Sequence, residues 1–199
     1  MLILGHAGIT LGAAIALDAA WSKRLPSTAL GDPPSNSRAY RFSSLAKHID
    51  IRVLLVGSLL PDIIDKPVGH IIFRNTFSNG RIFCHTLLFL LVITLAGLCL
   101  YKRKRKIWLL ILSCGTFTHL IFDQMWLTPH TLFWPLYGWN FPKEPPDLVL
   151  WLEGILTTLI TVPSVYITEI IGALILGAFC WHLIRRGQLG NLVKTGKVD

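Results

Sequence analysis

The sequence is poor in charge. Only 15% of its 199 residues are Asp, Glu, Lys or Arg and just 11 are acidic, while 52% are hydrophobic and the mean hydropathy is +0.55. So little charge cannot cover an ordinary soluble domain, and residues 1–199 read as a single integral membrane domain. CxxC spacing is also missing. Cys84, Cys99, Cys114 and Cys180 are scattered along apolar segments, which excludes a disulfide framework and a thiolate zinc site and leaves them as expected core residues. The apolar N-terminal stretch lacks a basic n-region and carries His6, so it reads as a retained helix rather than a cleaved signal. There is no internal repeat and no low-complexity tract. The formal charge of +8 does not argue for nucleic acid, because the basic residues flank apolar segments instead of forming a patch.

What the sequence does contain is a series of apolar runs. Leu2 to Ala20, Leu45 to Ile64, Cys84 to Tyr101, Ile107 to Trp126 and Val165 to Ile184 predict an all-α polytopic bundle of about five transmembrane helices. The first is rich in small residues (Gly5, Gly8, Gly12, Ala13, Ala14) that let helices approach closely. The second is marginal in length and could be tilted or re-entrant. Residues 21–50 read as a polar, breaker-rich loop, and Lys102 to Lys106 as a tight hairpin. Within 127–161, an interfacial loop dense in Pro, Trp, Phe and Tyr precedes an expected surface helix from Asp147 to Thr161.

Basic residues orient such a bundle. With the 21–50 loop, the hairpin and the C-terminal tail on the cytoplasmic side, fifteen of the nineteen Lys and Arg residues lie there, leaving Lys66, Arg74, Arg81 and Lys143 opposite. The N-terminus is then outside and the C-terminus inside. Tryptophans fall near the ends of the spans in this layout.

The same layout brings six polar residues to one level. A lone carboxylate in an apolar run normally stays neutral, finds a cation or binds a metal. Here His6, Asp62 with Asp65, His85, and His119 with Asp123 come from four separate segments and all fall near outer ends. Spacings of three and four put each pair on one helix face. Alone, His6 could be a packing residue, and Asp62 could cap a helix or pair with Arg52 or Arg81. Together the six predict a metal centre of the carboxylate-bridged kind found in helical bundles.

Around it, Arg81, Arg74 and Lys66 would form a cationic rim. It would either clamp a phosphate or carboxylate or pair with Asp62, Asp65 or lipid headgroups. His70 and His130 lie on the same side and could be further ligands or proton shuttles, against which their loop positions weigh, whereas His48 and His182 lie toward the other side and read as unrelated. Glu153 and Glu169 read as solvated interfacial carboxylates, and Phe133 to Trp139 as an aromatic belt or a lipid entrance.

Gly57-Ser58-Leu59-Leu60-Pro61-Asp62-Ile63-Ile64-Asp65, the Arg81 to His85-Thr86 segment and His119-Leu120-Ile121-Phe122-Asp123 together resemble the YdjM-like membrane-bound metal-dependent hydrolases, also described as LexA-binding inner-membrane-associated hydrolases. The similarity runs from His6 to about Pro142. It implies the prokaryotic cytoplasmic (inner) membrane and, through a ligand pattern like that of zinc-dependent phospholipases C, phosphoester chemistry. The family commonly has a histidine before the arginine of its middle motif. Gly80 stands there in this chain, so the shell would be smaller or be completed by His70 or Asn79.

Histidine and carboxylate without thiolate suit zinc, manganese or iron, and six ligands suffice for two ions. The expectation is a hydrolase using metal-activated water on a phosphoester-bearing lipid or similar amphiphile, with Asp62, Asp65, Arg74 and Arg81 in the catalytic set. A lipid ester or amide hydrolase, a metal-ion carrier and a regulatory partner protein are the alternatives. Transport would require polar residues continuing through the inner halves of the helices, where Asp18 is the most notable.

Overall fold

Side chains that capture free backbone groups set the starts of three helices in this chain. The computed structural model describes residues 2–22, 49–143 and 148–198, and among them are eight α-helices and no strand. The first, α1, spans Ile3–Ser22. Its opening amides are capped from a distance: the Glu169 carboxylate accepts from the N–H groups of Leu2, Leu4 and Gly5 at 2.7, 3.0 and 3.0 Å. Helix α2, Ile51–Pro67, begins at Asp50, whose carboxylate accepts from the Arg52 and Val53 amides, and continues into a π-helical turn over Val68–Ile72. A 3-10 turn, Phe83–His85, leads into α3, Leu87–Lys104, capped by the Thr86 hydroxyl on the Phe89 amide. Arg105, at φ 54°, ends α3, and α4 follows at Trp108–Phe122. A short α5 (Pro129–Leu132) precedes α6 (Leu148–Thr161), α7 (Pro163–Arg185) and α8 (Leu189–Thr195).

The principal packing is α2 along α4 and α1 along α7, with α3 on α4 and α1 joining α2. Both main seams run over glycine. A Cβ at Gly57 would strike the Leu112 carbonyl, one at Gly115 the Leu54 carbonyl, and one at Gly8 or Gly172 the facing backbone, so only glycine permits these approaches. Pro61, inside α2, has no N–H for the Gly57 carbonyl four residues back. That carbonyl instead accepts from the Thr116 hydroxyl of α4 at 3.3 Å. Leu11, Ile51, Phe179, Leu183 and Val198 form an apolar cluster at one end. There the C-terminal segment is tied to α2 by the Ile51 amide on the Gly196 carbonyl (2.8 Å) and Arg52 on the Val193 carbonyl (2.7 Å).

Two helices, α1 and α7, are long and apolar enough to cross a membrane. At 15 residues, α4 extends about 22 Å against a hydrocarbon core of about 30 Å. The 18 residues of α3 end in Lys102, Arg103 and Lys104. Large apolar side chains face outward, as with Leu91, Val92 and Leu95 of α3 and Ile167, Ile170 and Leu174 of α7.

Several expectations shift. The 21–50 loop, with His48, lies outside the described residues apart from the last turn of α1 and Ile49–Asp50, as do residues 144–147. The second segment starts at Ile51 because Asp50 caps it, and it runs three residues past Ile64. The third starts at Leu87 because Thr86 caps it, so His85 sits in the preceding 3-10 turn. Only Cys84 is buried; Cys99, Cys114 and Cys180 lie on exposed apolar faces, where a small apolar side chain suits lipid as well as a core. Glu169 is not solvated but buried as the cap of α1. The C-terminal helix α8 is an unforeseen element.

Candidate metal centre

Asp62, on the buried face of α2, lies one turn beyond Ser58. His119 faces it from α4, His85 from the 3-10 turn, and Asp123 from the C-terminal end of α4. One ligand atom from each of these four comes within 4.8 Å of every other. Both imidazoles are wholly buried.

Their hydrogen bonds fix which nitrogen carries the proton. His119 Nδ1 is 2.7 Å from the Ser58 carbonyl oxygen, which can only accept, so Nδ1–H donates there. His85 Nδ1 is 2.7 Å from Asp65 Oδ2 and donates likewise. In the neutral rings both Nε2 atoms are therefore bare lone pairs, and they face each other at 3.2 Å. Asp62 Oδ1 lies 3.5 Å from His85 Nε2 and 3.8 Å from His119 Nε2, and Asp123 Oδ2 lies 4.0 Å from His85 Nε2. Four acceptors converge without a donor among them, which is the condition a cation relieves. Ligand atoms bonded at about 2.1 Å in tetrahedral array sit about 3.4 Å apart, close to these separations. The donor set fits a divalent metal.

Asp65 does not join the four. Its carboxylate accepts from the amides of Ile82, Cys84 and His85 at 2.9–3.1 Å and from the His85 ring, so it orients a ligand from behind. His6 stands at the edge. Its Nε2 is 3.1 Å from Asp123 Oδ1, its ring stacks on His119 with centroids 4.1 Å apart, and its buried Nδ1 has no partner. The possible metal-binding group among the described residues is therefore Asp62, His85, His119 and Asp123, with Asp65 and His6 engaged beside it.

The rim is partly as expected. Lys66 Nζ is 2.6 Å from Asp62 Oδ2, and Arg81 contacts Asp123 Oδ2 at 3.0 Å through both Nε and Nη2. The arginine thus pairs with Asp123 rather than Asp62 or Asp65. Arg74 lies half-buried in the turn after the π-helix. Asn79 is committed to its loop, donating to the Pro142 carbonyl and accepting from the Arg81 amide. His70 is buried against Trp151, centroids 4.4 Å apart. A Cβ on Gly80 would lie 2.9 Å from His70 Nε2 and 3.2 Å from Lys66 Cγ, so the His70 ring occupies the space that a side chain at position 80 would need. His130 is exposed beside Tyr137.

Sequence reasoning did not find three supporting groups. The Ser58 carbonyl, the Thr116 hydroxyl and Glu169 act on backbone or through it, and only Pro61, which frees a carbonyl, signals one of them in advance.

No curated protein and no solved structure matches the chain. The family model described as YdjM inner membrane protein matches residues 1–189, and the chain belongs to that family.

Proposed function

We propose that this protein is a membrane-embedded metal-dependent hydrolase, a single domain whose Asp62, His85, His119 and Asp123 hold a divalent cation and whose substrate is a phosphoester-bearing amphiphile. The observation that carries this reading is the pair of Nε2 lone pairs 3.2 Å apart, each aimed inward by a hydrogen bond at Nδ1. Zinc suits the nitrogen and oxygen donors best, and manganese and iron accept the same set. Such an ion, when bound, supplies Lewis acidity that polarises an ester and acidifies a water.

The chain's own residues do the rest. Asp65 and the Ser58 carbonyl hold the two rings in one tautomer and one orientation. Asp62 turns one oxygen to the centre and the other to Lys66, while Asp123 is shared between His6 and Arg81. Lys66 and Arg81, with Arg74 as a third cation on that side, would balance negative charge building on phosphoryl oxygens.

For the membrane, we favour five crossings by α1, α2, α3, α4 and α7, with α6 at the surface, the N-terminus outside and the site near the outer face. The bias of fifteen basic residues against four supports this orientation. So does the gathering of the start of α2, the end of α7 and the C-terminal segment at the end away from the site.

The test is a panel of phospholipids in mixed micelles, offered to purified protein with and without chelator. Release of phosphate or phosphoalcohol should require the metal and vanish in Asp62→Ala. Turnover that survives both would overturn the proposal.

A further inference from the structure

Beside the four-residue group lies a cavity of about 570 Å³. Lys66, His70 and Arg81 give its lining a polar part, and Trp151, Ile155 and Val165 an apolar part, the two meeting where the His70 ring stacks on Trp151 with centroids 4.4 Å apart. Lys66 grips the outer oxygen of Asp62, and Arg81 grips Asp123 Oδ2, the oxygen that faces His85, so the polar part abuts the candidate metal centre. The apolar part comes from Val165 of α7 and from α6, whose partly buried positions Trp151, Ile155 and Leu159 recur every fourth residue and form its inward face. Gly154 lies in this wall with nothing within 4 Å of a Cβ, and that gap keeps the cavity open.

We infer that this cavity is a binding site for an amphiphile with one phosphate group, its anion at Lys66, Arg81 and His70 and its hydrocarbon chain laid against Trp151 and Ile155 of α6. The inference rests on the metal-dependent reading above. Charge supports it: with neutral imidazoles, Asp62, Asp65 and Asp123 outweigh Lys66 and Arg81 by one negative charge, and a divalent ion turns the balance to one positive. The ion thus draws an anion more strongly to the loaded protein. Size supports it too. The volume matches sites for drug-sized ligands, enough for a phosphate and the first part of a chain, and the remaining chain would leave between α6 and the bilayer. His70 contributes to the polar part because Gly80 has no side chain to exclude its ring.

The probe is dodecylphosphonate, which cannot be hydrolysed as a phosphoester, titrated calorimetrically into metal-loaded protein in maltoside detergent, with methylphosphonate as the tail-less anion and dodecanol as the uncharged tail. Dodecylphosphonate should bind saturably and at least tenfold more tightly than either, and chelation should abolish binding. Gly154→Trp fills the cavity and should weaken binding at least tenfold with metal content unchanged. Thr158→Trp, on the same wall, serves if that variant does not fold, and Gly177→Trp, with open space around it, should leave binding intact. Equal binding by wild type and both cavity-filling variants would overturn the inference while leaving hydrolysis elsewhere on the protein possible. Equal affinity for methylphosphonate would reduce the site to one for free phosphate and also overturn it. Tight binding lost in Gly154→Trp, in a protein that hydrolyses no phospholipid, would uphold the site and refute the catalytic reading.

Discussion

The Nε2 atoms of His85 and His119 face each other at 3.2 Å while their Nδ1 atoms donate in opposite directions, to Asp65 and to the Ser58 carbonyl. Two acceptors do not approach in this way for their own sake. Each ring is held by a separate element, and the space between them is defined by what lies behind.

That arrangement separates Asp65 from Asp62 in consequence, although the two are three residues apart. Asp65→Asn keeps the shape but loses the charge that three amides and one ring N–H share. Metal affinity should fall about 10–100-fold, as for other groups that orient a ligand, measured by competition with a chromophoric chelator. Asp62→Asn should lose the metal altogether. Equal loss in both would put Asp65 in the coordination sphere.

The α2–α4 seam sets the distance from Ser58 to His119. Gly57→Leu would force a side chain into the Leu112 carbonyl and should cost about 1–3 kcal/mol or more, read as a lower unfolding midpoint in detergent together with reduced metal content. Gly177→Leu, with nothing near its Cβ, is the control and should change neither. A Gly57→Leu protein of normal stability and full metal content would contradict the role given to this seam.

Glu169 positions His6 by holding the first turn of α1. Replacing it with glutamine removes a buried anion from three amides and should destabilise by about 1–3 kcal/mol, followed by denaturant titration in micelles. A carboxylate that merely faced water at an interface would leave stability unchanged.

Much of the site was legible in advance because its residues violate the apolar pattern around them: Asp62, His85, His119 and Asp123 stand out in runs that would otherwise be hydrophobic, and the layout of the runs put them at one level. The division of labour was not legible. Asp65 looks like a second ligand from α2 until the chain at Ile82–His85 turns its amides onto it, and an irregular turn leaves no periodic trace. Glu169 and its partner amides are more than 160 residues apart in sequence, so no local pattern links them. Helices start later than the apolar runs suggest, at Ile51 rather than Leu45 and at Leu87 rather than Cys84, because Asp50 and Thr86 cap inside those runs. Gly80, which looked like a missing ligand, is the space that His70 fills.

The central claim is that two imidazoles and two carboxylates grip one cation. Elemental analysis of the protein purified without added chelator tests it most directly. About one equivalent of a single divalent metal per chain is expected, zinc foremost, falling to background in His119→Ala and Asp62→Ala while Gly177→Leu retains it. Metal-free wild-type protein that cannot be reloaded, or metal that persists in both ligand variants, would contradict the account.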